Sequence, residues 1–429
     1  MCASERNGRR KRARGESLTA VDSSTDPGQV EGLPARRITT DAFWRLMPGR
    51  MPRRWWLFRP FDWLARHVPV WGKKRGVLVV RMDGIGDMVL FRRALDHYAE
   101  ALGVEQQDIT VLGCTSWERV AHGVFAGYRV EVLDEHRFAK NLWYRLRTAV
   151  RVRRVNPETV INDSYFRRPL MADSLAWICG ASTNIASLPH ISDKTRSVYH
   201  WYLSQATRII DTGPYPTHET LRHFNFLSVL AGREITPEAP AFDWKSEPPE
   251  FADEGPYVVL NPGSNEYGRR WPFDKYLDIA RRCVKAGYRV AVVGSPKEAP
   301  TEEGLLALQM IYGVHNLIGQ TSLPGLLDLM KHASAVVSND TGPMHLAIAL
   351  GTPTVAVIGG GHFHCFIPYP DDVRPPNVHF LWQEMDCYHC FWACPKRETD
   401  KDSFPCVAAV ETDAVWAKLE PLLKTSAAD

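Results

Sequence analysis

The sequence lacks any long uninterrupted hydrophobic run. Its charge-free stretches are broken by Gly and Pro before they reach membrane-span length, so no segment is expected to cross a bilayer. Cysteine is scarce: nine in 429 residues exclude a disulfide scaffold, and Cys114, Cys179, Cys283 and Cys365 read as small buried apolar groups. The start shows no apolar core followed by a small-residue cleavage site. No secretory signal is expected, and a cytoplasmic chain is the simplest reading. A strong overall charge is also missing. The formal net charge is +3, and the positive excess is concentrated in residues 1–20, with Arg9, Arg10, Lys11 and Arg12, and again in residues 50–75. The remainder carries more acidic than basic groups, which excludes a nucleic-acid binder by composition.

What is present suits a globular protein: 45% hydrophobic and 24% charged residues, with room for two cores of ordinary domain size. Residues 1–38 are polar and basic, with too few large apolar groups to offset the entropy of ordering, and are expected to be disordered. In residues 39–72 the character changes to Trp, Phe and Leu interleaved with Arg. Such an arm reads in two ways. Across residues 43–75 it has the aromatic and cationic groups that a peripheral contact with an anionic inner membrane needs, and equally those of an arm packed on the body or on another subunit.

Short β-branched runs then alternate with longer amphipathic ones. Strands are expected at 76–80, 109–112, 129–133 and 159–162, with helices near 88–102, 141–152 and 169–178 between or after them. This pattern indicates a parallel sheet covered on both faces, and a first domain over 73–235. A Pro- and acid-rich linker, 236–256, leads to a second alternation over 257–380, and residues 381–429 hold a cysteine cluster and a closing helix. The expected fold is therefore α/β, with two doubly wound Rossmann-like domains whose strand ends face one cleft.

Three loops carry the chemistry. Gly84-Ile85-Gly86-Asp87 is a glycine turn with a carboxylate at a helix start, where the dipole is expected to keep Asp87 ionised and available as a general base. Helix capping is the plainer job for Asp83 and Asp87. Asn261-Pro262-Gly263-Ser264 offers backbone amides, and Arg269-Arg270 offers charge for a leaving diphosphate, although the arginines also suit a solvated helix entry. In the third, a buried strand ends at Ser338-Asn339-Asp340 and turns through Thr341-Gly342-Pro343 into a helix carrying His345. Unpaired N–H groups at that helix start suit a phosphate. Gly294 to Glu298 follows another strand and sets Glu298 near a ribose hydroxyl, or forms a plain surface loop.

The order VVRMDGIGDMVL, LNPGSNEYGRRWPFDKY, VVGSPKE and VSNDTGPMHLAIALGTPTVAVIG resembles glycosyltransferase family 9, the ADP-heptose:lipopolysaccharide heptosyltransferases, over residues 76–360. The resemblance implies a GT-B fold, with the acceptor on the N-terminal domain beside Gly84 and Gly86 and a nucleotide-sugar donor on the C-terminal one. It implies inverting transfer to a glycolipid or glycan acceptor with no catalytic cofactor. Asp87 would be the base and Arg269, where the family usually has Lys, would face the diphosphate. Gly263, Ser264, Arg270, Glu298, Asp340, Thr341, Gly342 and His345 would hold the donor.

Cys387-Tyr-His-Cys390-Phe-Trp-Ala-Cys394, with Cys406 further on, has spacing that could close a structural zinc or iron site, or simply supply reduced thiols. The cluster is similar to those of some family members that heptosylate proteins and carry iron. Transfer to a lipopolysaccharide core-type acceptor is the principal reading. A protein hydroxyl as acceptor, a sugar-nucleotide epimerase on the same fold, and a non-catalytic nucleotide binder are the alternatives.

Overall fold

The computed structural model describes residues 51–426. The expected disordered tail over 1–38 and the start of the aromatic arm over 39–50 lie outside the described residues. Helix α1 (Arg53–Arg66) packs its inner face, Trp55, Phe58, Asp62 and Ala65, on the body. Arg145 grips the buried Asp62 carboxylate through Nε and Nη2, each at 2.6 Å. The inner face of the arm thus realises the packed reading.

Two six-stranded sheets follow, each strand parallel to its neighbours. The first holds β1 (Val77–Val80), β2 (Ile109–Cys114), β3 (Arg129–Leu133), β4 (Thr159–Asn162), β5 (Thr183–Ser187) and β6 (Arg208–Ile210), in the order β3-β2-β1-β4-β5-β6. The second holds β7 (Tyr257–Asn261), β8 (Arg289–Val292), β9 (Val314–Asn316), β10 (Ala335–Asn339), β11 (Thr354–Val357) and β12 (Val378–Leu381), in the order β12-β11-β10-β7-β8-β9. Apolar strands such as Val77-Leu78-Val79-Val80 are buried throughout because helices cover both faces of a parallel sheet.

The helices that matter below are α2 (Ile85–Leu95) after β1, α3 (Leu142–Val155) beside α1, α4 (Glu219–Ala231) after β6, α5 (Phe273–Lys285) after β7, α6 (Gly342–Ala349) after β10, and α7 (Thr412–Ser426), which buries Val415, Leu419 and Leu423 in the second core. Each sheet reverses its winding direction between its two central strands: β1 and β4 in the first, β7 and β10 in the second. Such switch points open crevices at the carboxyl ends of the strands, and the loops after these four strands build the site.

Two expectations need correction. The single helix near 88–102 is broken at Asp96-His97 into α2 and a short helix Tyr98–Leu102. Strands β5, β6, β9 and β12 were not anticipated. They are short edge-side strands of mixed polarity, such as Thr183-Asn184-Ile185-Ala186-Ser187, and take their conformation from pairing with β4, β8 and β11.

Candidate active site

The front wall begins where β1 ends. Arg81 is fully buried and reaches Asp163 Oδ1 after β4 at 2.8 Å and Asp83 Oδ2 at 3.0 Å. Asp163 is also held by His223 Nδ1 of α4 and by the Tyr98 hydroxyl, each at 2.9 Å. Burial alone would raise its pKa, but His223 and Arg81 hold it well below the usual carboxylate range. This fixed network sets the loop that turns through Gly84 into α2.

Asp87 sits in the first turn of α2, where its Oδ2 accepts the Gly84 N–H at 3.1 Å. Capping and chemistry are therefore compatible uses of the same side chain. The expected effect of the helix dipole is overridden. Burial, with Asp83 and Glu219 adding, pushes Asp87 up to about 7, against the opposing pull of Arg81 and the Gly84 N–H. A carboxyl group titrating near neutrality is tuned to take a proton. Asp87 lines a cavity of about 150 Å³ with Asp83, Ser164, Phe166, Arg168 and Glu219. Glu219, the first residue of α4, is buried, accepts the Tyr165 N–H at 3.0 Å, and is itself raised by burial.

The rear wall is assembled from the loops after β7 and β10. Asn339 Oδ1 accepts the Trp271 N–H and the Tyr276 hydroxyl, each at 3.0 Å, while its amide nitrogen donates to the Pro262 carbonyl at 2.7 Å. Asn261 donates to Ser338 Oγ at 3.0 Å and Thr341 Oγ1 at 3.1 Å. One buried amide from each strand thus ties the two loops together. Arg269 Nη2 pairs with Asp340 Oδ2 at 2.9 Å, and its guanidinium lies 4.6 Å from the Trp392 ring centre. Burial raises Asp340, and Arg269 pulls the other way. Thr341 caps α6 and Gly342 opens it; Pro343 has no N–H and the Met344 N–H is taken by the Thr341 carbonyl at 3.1 Å, so of the first turn it is the Gly342 N–H that has no partner inside the helix.

Gly263, Ser264, Arg270 and Glu298 form a second cluster on this wall. Arg270 Nε donates to the Ser264 carbonyl at 3.0 Å. Glu298 is held by the Ser295 N–H and hydroxyl at 3.1 and 2.8 Å, close enough to Gly263 that a Cβ there would stand 2.9 Å from Oε2. Arg270 is thus no solvated helix entry. Trp271 is a buried anchor, its indole donating to the Val410 carbonyl at 2.9 Å.

The walls meet at the starts of α2 and α6. A Cβ on Gly86 would lie 2.8 Å from His345 Cδ2, and one on Gly342 would lie 3.1 Å from Ile85 Cβ. His345 is buried, bonded through Nδ1 to the Tyr369 hydroxyl at 2.6 Å, and held neutral because burial drives its pKa down to about 3.

The cysteine segment also departs from expectation. Cys387, Cys390 and Cys394 are half-buried and Cys406 is buried in the second core. Among the described residues, no group of three or more His, Cys, Asp or Glu is placed to hold a metal ion, so the expected zinc or iron site is not supported. The segment instead packs on Gly359-Gly360-Gly361. Trp392 crosses Gly361, stacks on Phe404 at 5.6 Å, and carries Arg269 on its face.

Sequence reasoning missed Arg81, Asp163, Ser164 and His223, whose roles depend on β4 and α4 lying beside β1. The polar ends of strands, Asn162-Asp163-Ser164 above all, are the signal that could have marked them.

Residues 230–393 match the model of glycosyltransferase family 9 (heptosyltransferase). The chain is 37% identical over 111 residues to lipooligosaccharide heptosyltransferase 2 of Haemophilus influenzae, a match covering 25% of this chain and 32% of that protein. A longer match, 25% identical over 296 residues, covers 66% of this chain and 78% of lipopolysaccharide heptosyltransferase 1 of Pseudomonas aeruginosa. The chain thus spans about a third of the length of the first relative. In fold it is similar to the family 9 glycosyl transferase of Veillonella parvula, with a TM-score of 0.65 and 17% identity over 83% of this chain and 100% of that one. The two facing sheets are those of the GT-B fold.

Proposed function

We propose that the chain belongs to glycosyltransferase family 9, as its matches to the family model and to heptosyltransferases support, and that it transfers a heptose from ADP-heptose to a hydroxyl of a lipopolysaccharide core-type acceptor with inversion at the anomeric carbon. The observation that carries this reading is the placement of a carboxyl group tuned to about 7, Asp87, in the turn whose Gly86 touches His345 of the opposite sheet. An acceptor hydroxyl entering the cavity gives its proton to Asp87 as its oxygen attacks the anomeric carbon. The bond from that carbon to the diphosphate oxygen breaks on the opposite side, and its electron pair leaves with the nucleotide. Arg269 and the positive end of α6 at Gly342 meet the charge that develops there. The positive charge for the leaving group is supplied by the chain itself, which supports a reaction independent of bound metal. Charge on the donor keeps it from crossing a bilayer unaided, so a cytoplasmic location goes with this reading.

The names of the relatives support heptose as the sugar and lipopolysaccharide as the acceptor class. Incubation of the chain with ADP-heptose, with and without a heptose-deficient lipopolysaccharide, tests it. Acceptor gaining one heptose by mass spectrometry, with ADP released in step, is the expected result. A changed sugar nucleotide without acceptor would favour the epimerase, and heptose found only on protein would replace the acceptor.

A further inference from the structure

Helix α1 has a second face. Trp56 and Leu57, and seven residues on Trp63 and Leu64, are 47%, 51%, 52% and 53% exposed. They form an apolar stripe on the side opposite the packed Trp55, Phe58, Asp62 and Ala65. Just beyond the helix, Trp71 is 87% exposed, followed by exposed Lys73 and Arg75. On the neighbouring α3, Trp143 is 76% exposed, with Arg147 and Arg154 outward on the same helix. The only acid between residues 50 and 75 is Asp62, turned inward onto Arg145. Among the described residues nothing covers this stripe. A soluble helix does not ordinarily leave two tryptophans and two leucines in water on one face.

We infer that the outer face of α1, with Trp71 and the adjoining basic groups, docks the protein on an anionic lipid bilayer. Indole rings and leucines at the headgroup level, beside arginine and lysine and with no outward acid between residues 51 and 75, are complementary to such a surface in both polarity and charge. The site geometry fits this orientation. A cavity of about 250 Å³ lies at the start of α1, between Arg54 and Phe58 on one side and Arg168, Leu170, Lys194 and Val198 on the other. Arg168 also lines the cavity of Asp87. An amphiphilic acceptor anchored in the bilayer therefore meets a basic, partly apolar recess at the docking helix and, past the shared Arg168, the cavity of Asp87.

The test is co-sedimentation of the full chain with phosphatidylcholine vesicles and with vesicles that also contain phosphatidylglycerol. The chain should pellet with the anionic vesicles, and raised salt should weaken the binding. Replacing the stripe (Trp56→Ser, Leu57→Ser, Trp63→Ser, Leu64→Ser) should weaken it roughly tenfold or more, and Lys73→Glu with Arg75→Glu should remove the preference for phosphatidylglycerol. Circular dichroism and the thermal midpoint confirm that each variant is folded, and neither readout depends on sugar transfer. Failure of the parent chain to bind anionic vesicles would overturn the inference, as would equal binding by the folded stripe variant. Self-association through this face, abolished in the stripe variant and with vesicles ignored, would assign it to a second copy instead.

Discussion

The backbone of Gly86 rests against the imidazole of His345, so closely that a methyl group at Gly86 would stand 2.8 Å from Cδ2. One residue belongs to the sheet that carries Asp87 and the other to the sheet that carries Arg269. The contact therefore sets the distance between Asp87 and the Arg269–Asp340 pair. Gly86→Ala must push the two helix starts apart and is expected to cost about 1–3 kcal/mol, as overpacking does. Turnover should fall by more than that stability loss explains. Gly84→Ala, whose new carbon would meet only Asp87 Oδ2 at 3.4 Å, is the control and should retain stability by urea denaturation.

The elevated Asp87 gives a pH signature. A base must be deprotonated to act, so kcat/KM should climb as pH rises through about 7, well above the usual carboxylate range. Burial comes first among the causes and the like charge of Asp83 second, so Asp83→Asn should move this limb to lower pH. For stability the sign is opposite: a carboxyl group raised by folding favours the protonated native state, and its contribution is lost as pH climbs through the same value.

Asp163 behaves in the reverse sense. Despite burial, His223 and Arg81 depress it, so its contribution is present above the ordinary carboxylate range and lost as pH falls through and below it. Asp163→Ala strands Arg81 in the interior with only Asp83 as its carboxylate partner, and is expected to cost about 3–5 kcal/mol in chemical denaturation.

Arg269 joins three features: the Asp340 carboxylate, the Asp340 carbonyl and the Trp392 face. Arg269→Ala should lower kcat by roughly 10²-fold or more. Calorimetry should show weaker donor binding as well. Arg269→Lys keeps the charge but loses the planar stack on Trp392, and should recover only part of the loss.

Much of this site was legible because its loops are local: Gly84 to Asp87, Gly263 with Ser264, and Asp340 to His345 each follow a buried strand and enter a helix within a few residues. The central strands were legible for the same reason, as runs of Val, Leu and Ile. What the sequence hid was lateral. That Asp163 and His223 would brace Arg81 depends on β1 pairing with β4 and on α4 packing beside α2, which no local pattern encodes. The ionisation of Asp87 was misjudged because the dipole is written in the helix start, whereas burial and Glu219 arrive from distant segments. The cysteine spacing suggested a metal, but the thiols serve a loop whose visible work is to place Trp392 under Arg269.

The most direct measurement is single-turnover transfer from ADP-heptose by Asp87→Asn, with donor affinity determined by calorimetry on the same preparation. Asparagine keeps the shape and removes the base. Transfer should slow by roughly 10²–10⁴-fold while donor affinity stays near that of the parent chain. Transfer at the parent rate, with the acid limb near neutrality still in place, would contradict the assignment of Asp87 as the proton acceptor.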